Sequence, residues 1–273
     1  MSGNLNRRQL LKLLGMSALG SSVSSCITSP AAAAKVNWGY IGKQGPEYWG
    51  KLSPDFQLCY TGKRQTPIDL QLASVKSADK NQDLLAINYQ PSPLNLINNG
   101  KTIQVNYQTG SFIECVGVAR HRHRQIFQLL QFHFHHPSEH HINGELYDME
   151  LHFVHRDQTG NLAVIGVFLK AGAFNPNLQS IWDAMPEKQG EENIVADTII
   201  NAAQLLPTEH RFLTYSGSLT TPPCSENVSW YVMEQPIEVS RQQIDKFVHL
   251  FPHNNRPIQP LNERIVLESA NTI

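Results

Sequence analysis

From Lys35 onward, apolar and polar residues alternate in short runs separated by Gly, Pro and Asn, the period-two pattern of half-buried strands. The clearest runs are 102–107, 127–135, 150–155 and 162–170. The second half of 162–170 is nearly continuous in apolar residues, which predicts a strand buried on both faces. Asn98-Asn99-Gly100 marks a turn just ahead of the first run. Helical stretches are few: 178–185, 194–205 and 240–250, the last with Ser240 placed to cap its first turn. No repeat, linker or compositional break interrupts the chain. The pattern therefore predicts one strand-rich α+β domain with peripheral helices.

The first 34 residues do not follow this pattern. Arg7-Arg8, then Leu10-Leu11-Lys12, a moderately apolar stretch to about Leu19 and a tail of small residues resemble a twin-arginine export signal. That stretch is too short and too rich in Gly and Ser for a permanent membrane helix, and no later segment reaches about 18 continuous apolar residues. Two maturation routes fit. Cleavage after Ala34 leaves a domain of residues 35–273, whereas Val23-Ser24-Ser25-Cys26 resembles a lipoprotein box that would anchor Cys26 in a membrane. Either way the expected location is periplasmic or extracellular. That compartment is oxidising, so one disulfide and one leftover thiol are expected among Cys59, Cys115 and Cys224. The residues themselves leave the pairing open.

Composition changes the picture in one respect. With 273 residues, 41% hydrophobic and 16% charged, the chain is long and apolar enough to fold around a core. A net charge of -1 gives no electrostatic case for nucleic acid or an anionic membrane surface. The 12 histidines stand out, since imidazole is the commonest metal ligand and titrates nearest neutrality.

Two of them fall on one strand face. In Gln131-Phe132-His133-Phe134-His135, alternation puts His133 and His135 on one side with Gln131, and the phenylalanines on the other. Imidazoles about 7 Å apart along a strand can converge on one ion, but a third ligand must come from elsewhere. Glu150-Leu151-His152-Phe153-Val154 supplies it if its strand lies alongside, with Glu150, His152 and Val154 sharing a face. Three neutral nitrogens with an open fourth position describe a catalytic zinc site. Gln131 and Glu150, each two residues before a ligand, are placed to accept the far ring N–H groups. His136 and His155 have the wrong parity, and His140 and His141 follow Pro137 in an expected loop. These four read as hydrogen-bonding or surface histidines.

Two families share such features. His133, His135 and Glu139 followed by Gly144 resemble the first metal motif of the barrel-forming cupins, in which the glutamate would be a ligand, but the second cupin motif is not evident. The wider pattern resembles the α-type carbonic anhydrases over nearly all of the mature chain. It runs through Trp38-Gly39-Tyr40, Gln65-Thr66-Pro67-Ile68-Asp69, Asn98-Asn99-Gly100 and both histidine stretches with Ser138-Glu139-His140. It continues through 163–170, Tyr215-Ser216-Gly217-Ser218-Leu219-Thr220-Thr221-Pro222-Pro223, Trp230 and Asn255-Arg256-Pro257.

The resemblance implies a large, mostly antiparallel, twisted central sheet and an enzyme that hydrates carbon dioxide reversibly to bicarbonate through zinc-bound hydroxide. Its implied ligands to Zn2+ are His133, His135 and His152. Thr220 would donate a hydrogen bond to Glu139 while accepting one from the nucleophile and aiming it, with Thr221 near the bound oxygens. Val154, Val164, Leu219, Val228 and Trp230 would form the substrate pocket. The resemblance also pairs Cys59 with Cys224. One departure concerns proton export: where fast members carry a shuttle histidine after Asn-Gly, this chain has Lys101, whose ordinary pKa near 10.4 suits the task poorly. His121 and His123 are candidate substitutes, beside Lys101 itself as a candidate shuttle. A non-catalytic binding member of the family is the rival reading, opposed by the presence of all three ligands together with Glu139 and Thr220.

Overall fold

The four alternating runs form strands Ile103–Asn106, Gln125–His135, Met149–Arg156 and Leu162–Ala171 in a computed structural model that describes residues 36–78, 84–116 and 124–269. The expected export signal, Cys26, His121 and His123 lie outside those residues. The strands sit in a 13-stranded sheet, in the spatial order in which the chain makes them. Most pairings are antiparallel. The exceptions join Leu162–Ala171 to Glu226–Met233 and to Ile237–Val239, and Leu267–Glu268 to Lys76–Ser77. The sheet runs from one edge strand to the other without closing, so it is not the barrel of the cupin alternative.

Alternation decides which side chains enter which core. Phe132, Phe134, Leu151 and Phe153 point to one face and are fully buried there. The helices Pro176–Asp183 and Arg241–Leu250 cover that face, with Trp182 and Phe247 packed against Phe134. Ser240 caps the second helix, as expected, and the structure adds Gln243 as its partner in a reciprocal capping box. A second apolar cluster, including Val164, Val228 and Trp230, lies on the site side. The strand Leu162–Ala171 is buried along most of its length, as its continuous apolar run predicts.

One expected helix is absent. The segment 194–205 is instead the edge strand Glu192–Ile200, paired with Ser92–Asn98, followed by a 3-10 turn at Ala202–Leu205. Ile194, Val195, Thr198, Ile199 and Ile200 are β-branched, and that density favours a pleated strand once a partner is available. Asn201 then caps the short turn by accepting from the Ala203 N–H.

Cys59 and Cys224 form the disulfide, leaving Cys115 as a buried thiol that burial pushes up to about 12. A thiol held protonated in this way is a poor nucleophile.

Candidate metal centre

The sheet register brings the ligand candidates together. Gln125–His135 and Met149–Arg156 pair antiparallel with His133 directly opposite His152, so both rings project from one face. His135 lies two residues further along that face, and ring centroids of the three histidines are 4.6 to 5.4 Å apart. One ligand atom from each lies within 4.8 Å of the other two.

The far nitrogens show which atoms face inward. His133 Nδ1 lies 2.9 Å from Gln131 Oε1, His135 Nδ1 2.6 Å from the Asn254 carbonyl, and His152 Nε2 2.8 Å from Glu150 Oε1. Each acceptor fixes a tautomer and leaves the opposite nitrogen unprotonated: Nε2 of His133, Nε2 of His135 and Nδ1 of His152. His135 Nε2 is buried with no hydrogen-bond partner. A lone pair left so is costly unless something binds it. Burial lowers the pKa of all three imidazoles, His135 to about 4, so they are neutral at pH 7, as metal ligation requires. The residues therefore fit a divalent metal.

Glu150 organises the surroundings. Its Oε1 meets His152 Nε2 and His140 Nδ1, and its Oε2 accepts the backbone N–H groups of Glu139 and His140, both at 2.8 Å. Burial alone would raise this carboxyl, but His140 and His152 hold it well below the usual range. His140 Nε2 in turn lies 2.6 Å from the Tyr215 hydroxyl. His140, Glu150 and His152 could also be grouped as a metal site, but their mutual distances are those of hydrogen bonds already made.

Glu139 sits beside the ligands, Oε1 3.6 Å from His135 Nδ1 and Oε2 3.8 Å from His152 Nδ1. Its Oε1 accepts the Arg256 backbone N–H at 2.8 Å. Burial raises its pKa to about 7, against the pull of His152, Arg256 and Thr220. Oε2 has no partner in hydrogen-bonding geometry, so Thr220 acts here as a nearby hydroxyl rather than a formed bond. Thr220 is buried, and the Thr221 carbonyl accepts from the Cys224 N–H. Val164, Val228 and Trp230 form a buried apolar cluster against which the half-buried Val154 and Leu219 pack. Lys101 places its ammonium 4.9 Å from the Trp38 ring, and partial burial draws its pKa down.

Three contributors escaped the sequence reading. The Asn254 carbonyl, the link from His140 to Tyr215, and Arg256 all come from distant segments. A backbone carbonyl has no residue signature. Arg256 stands in a matching motif, but nothing in that motif says its amide meets Glu139. His141 is half-buried on the short strand His141–Ile142, and His136 Nδ1 is spent on the Pro252 carbonyl.

The chain matches the model of the eukaryotic-type carbonic anhydrases over residues 44–270. It is 64% identical to a carbonic anhydrase of Nostoc sp., over 98% of this chain and all of that protein. A carbonic anhydrase of Pectobacterium atrosepticum is 41% identical, over 93% and 99% of the two chains. Among solved structures, the α-carbonic anhydrase from Thermovibrio ammonificans, in complex with the inhibitor sulfanilamide, superposes with a TM-score of 0.79 at 43% identity. It covers 85% of this chain and 99% of its own.

Proposed function

Since the chain belongs to the α-type carbonic anhydrase family, we propose that it hydrates carbon dioxide reversibly to bicarbonate and a proton with Zn2+ held by His133, His135 and His152. The observation that carries this reading is the convergence of three neutral imidazoles, each with its far nitrogen already taken. A donor set of nitrogen only, with no thiolate, favours zinc in a catalytic rather than a closed structural role. When bound, the metal supplies Lewis acidity, which turns water into a nucleophile near neutral pH.

The rest of the work falls to the chain. Gln131, the Asn254 carbonyl and Glu150 fix the tautomer and orientation of the three rings. The Thr220 hydroxyl, beside Glu139, would turn its proton toward that carboxylate and leave its own oxygen free to accept from the attacking water and aim it. Glu139, fixed by the Arg256 amide, is the acceptor that gives Thr220 this direction. The Thr220 amide and Thr221 are the donors for product oxygens. Val154, Val164, Leu219, Val228 and Trp230 offer an apolar wall suited to an uncharged linear substrate and poorly suited to water.

Proton export is assigned to Lys101, His121 or His123, with buffer as their competitor. The chain is exported, with residues 1–34 as its signal or Cys26 as its anchor, and residues 35–273 form the enzyme. The disulfide supports an oxidising compartment. Stopped-flow measurement of carbon dioxide hydration, before and after chelation and again with Zn2+ restored, tests the proposal. Activity lost and regained supports it; a rate indifferent to chelation at verified metal loss rejects it.

A further inference from the structure

A cavity of about 840 Å3 opens beside the strand Phe212–Ser218, and none of the three candidate ligands lines it. Its lining combines apolar surface from Tyr215, Ile265 and Leu267 with the cations Lys63, Arg64 and Arg264, set against the single carboxylate of Glu263. Lys63 and Arg64 are exposed, and none of the three cations makes an ion pair among the described residues. Glu226, 162 residues from Arg64 in sequence and brought beside it by folding, accepts from the Arg64 backbone N–H at 2.7 Å and from Gln65 Nε2 at 3.1 Å, and its charge partly offsets the cations.

Arg264 is held in a fixed pose. Its Nε donates to the Leu261 carbonyl at 2.9 Å, Nη1 to Ser216 at 3.2 Å and Nη2 to Pro260 at 2.8 Å. The guanidinium also lies 5.4 Å from the Tyr215 ring. A guanidinium has five N–H donors, so one remains on each terminal nitrogen. Partial burial disfavours this cation and Arg64 adds to that, while Tyr215 and the Glu226 carboxylate favour it; the net effect lowers its pKa. Thr214 lines the same cavity, and its hydroxyl oxygen is buried without a partner.

We propose that this cavity binds an organic anion with an apolar body. Its carboxylate, sulfonate or phosphate head would meet Arg264, Arg64 and Lys63, and its hydrocarbon or aromatic part would lie against Tyr215, Ile265 and Leu267. An inorganic anion would leave most of the space to water, since pockets of roughly 300–1,000 Å3 suit drug-sized ligands. A neutral apolar ligand would displace water from these charges without pairing them, which is unfavourable.

The test is an amide chemical-shift titration of the metal-loaded chain with naphthalene-2-sulfonate and, separately, with inorganic phosphate. Saturable shifts at Ser216, Arg264 and Ile265 are expected, with phosphate binding more weakly. Arg64→Glu and Arg264→Gln should each weaken the sulfonate by about tenfold or more, the value of a charge-assisted contact. The Arg64 side chain is exposed, so its variant keeps the fold even if Arg264→Gln does not. Shifts confined to residues around His133 and His152, no saturable shift, phosphate binding as tight as the sulfonate, or undiminished affinity in Arg64→Glu would each overturn the proposal.

Discussion

Each imidazole of the cluster is defined by what its far nitrogen touches, and only part of that was legible. Gln131 and Glu150 stand two residues before a candidate ligand, and strand parity alone puts them beside the rings they meet. The partner of His135 is a carbonyl 119 residues away, beyond any local pattern. On the proposed function, Glu139 is the residue that separates holding metal from using it. Glu139→Gln is expected to retain one metal ion per chain and to lower kcat/KM by about 100-fold, the scale of a misdirected proton-transfer partner. Elemental analysis beside stopped-flow kinetics reads both quantities, and loss of metal would make Glu139 a ligand instead. Lys101 sets a second expectation at this scale. With its ammonium over the Trp38 ring and an ordinary pKa far above neutrality, it would be a slower shuttle than an imidazole. Turnover should rise with imidazole-type buffer, and Lys101→His should raise the buffer-free rate and flatten that dependence. Equal, buffer-insensitive rates in the two proteins would contradict it.

At the scale of elements, the register of two strands does most of the positioning. Pairing His133 with His152 also pairs Phe132 with Phe153, so one alignment fills the core and assembles the site together. Parity correctly put His155 on the other face. There it is buried, its Nδ1 3.2 Å from the Ala163 carbonyl and its Nε2 2.8 Å from the Tyr89 hydroxyl. Burial lowers its pKa to about 3, while in the unfolded chain it returns to about 6.5. A lowered histidine favours the fold when neutral, so its contribution is full above pH 6.5 and is lost as pH falls from there toward 3. Denaturant unfolding of the metal-loaded protein should show stability falling by up to about 1.4 kcal/mol per pH unit from this group, a slope reduced in His155→Gln. Identical slopes would remove His155 from the account. The misread element, 194–205, shows where local pattern fails: an edge strand exposed on most positions carries no clean alternation, and its partner Ser92–Asn98 decides the matter.

For the molecule as a whole, fold class and family were legible because the site is built into the middle of the sheet rather than on loops. What was not legible lies in long-range closures. The residues alone could not choose among three cysteines, and the pairing came from family resemblance before the Cys59–Cys224 bond placed it. That bond spans 165 residues and ties the start of the domain to the loop after Thr220 and Thr221. The paired Cys59→Ala, Cys224→Ala variant should lose about 2–5 kcal/mol of stability, by release of the unfolded chain from a long closed loop. Unchanged denaturant midpoints would contradict that. The claim beneath everything else is that histidines from two adjacent strands share one ion. Metal content per chain, compared between the wild type and His152→Ala, tests it most directly. One zinc per wild-type chain and close to none in the variant is the predicted result, whereas full zinc retention without the His152 ring would contradict it.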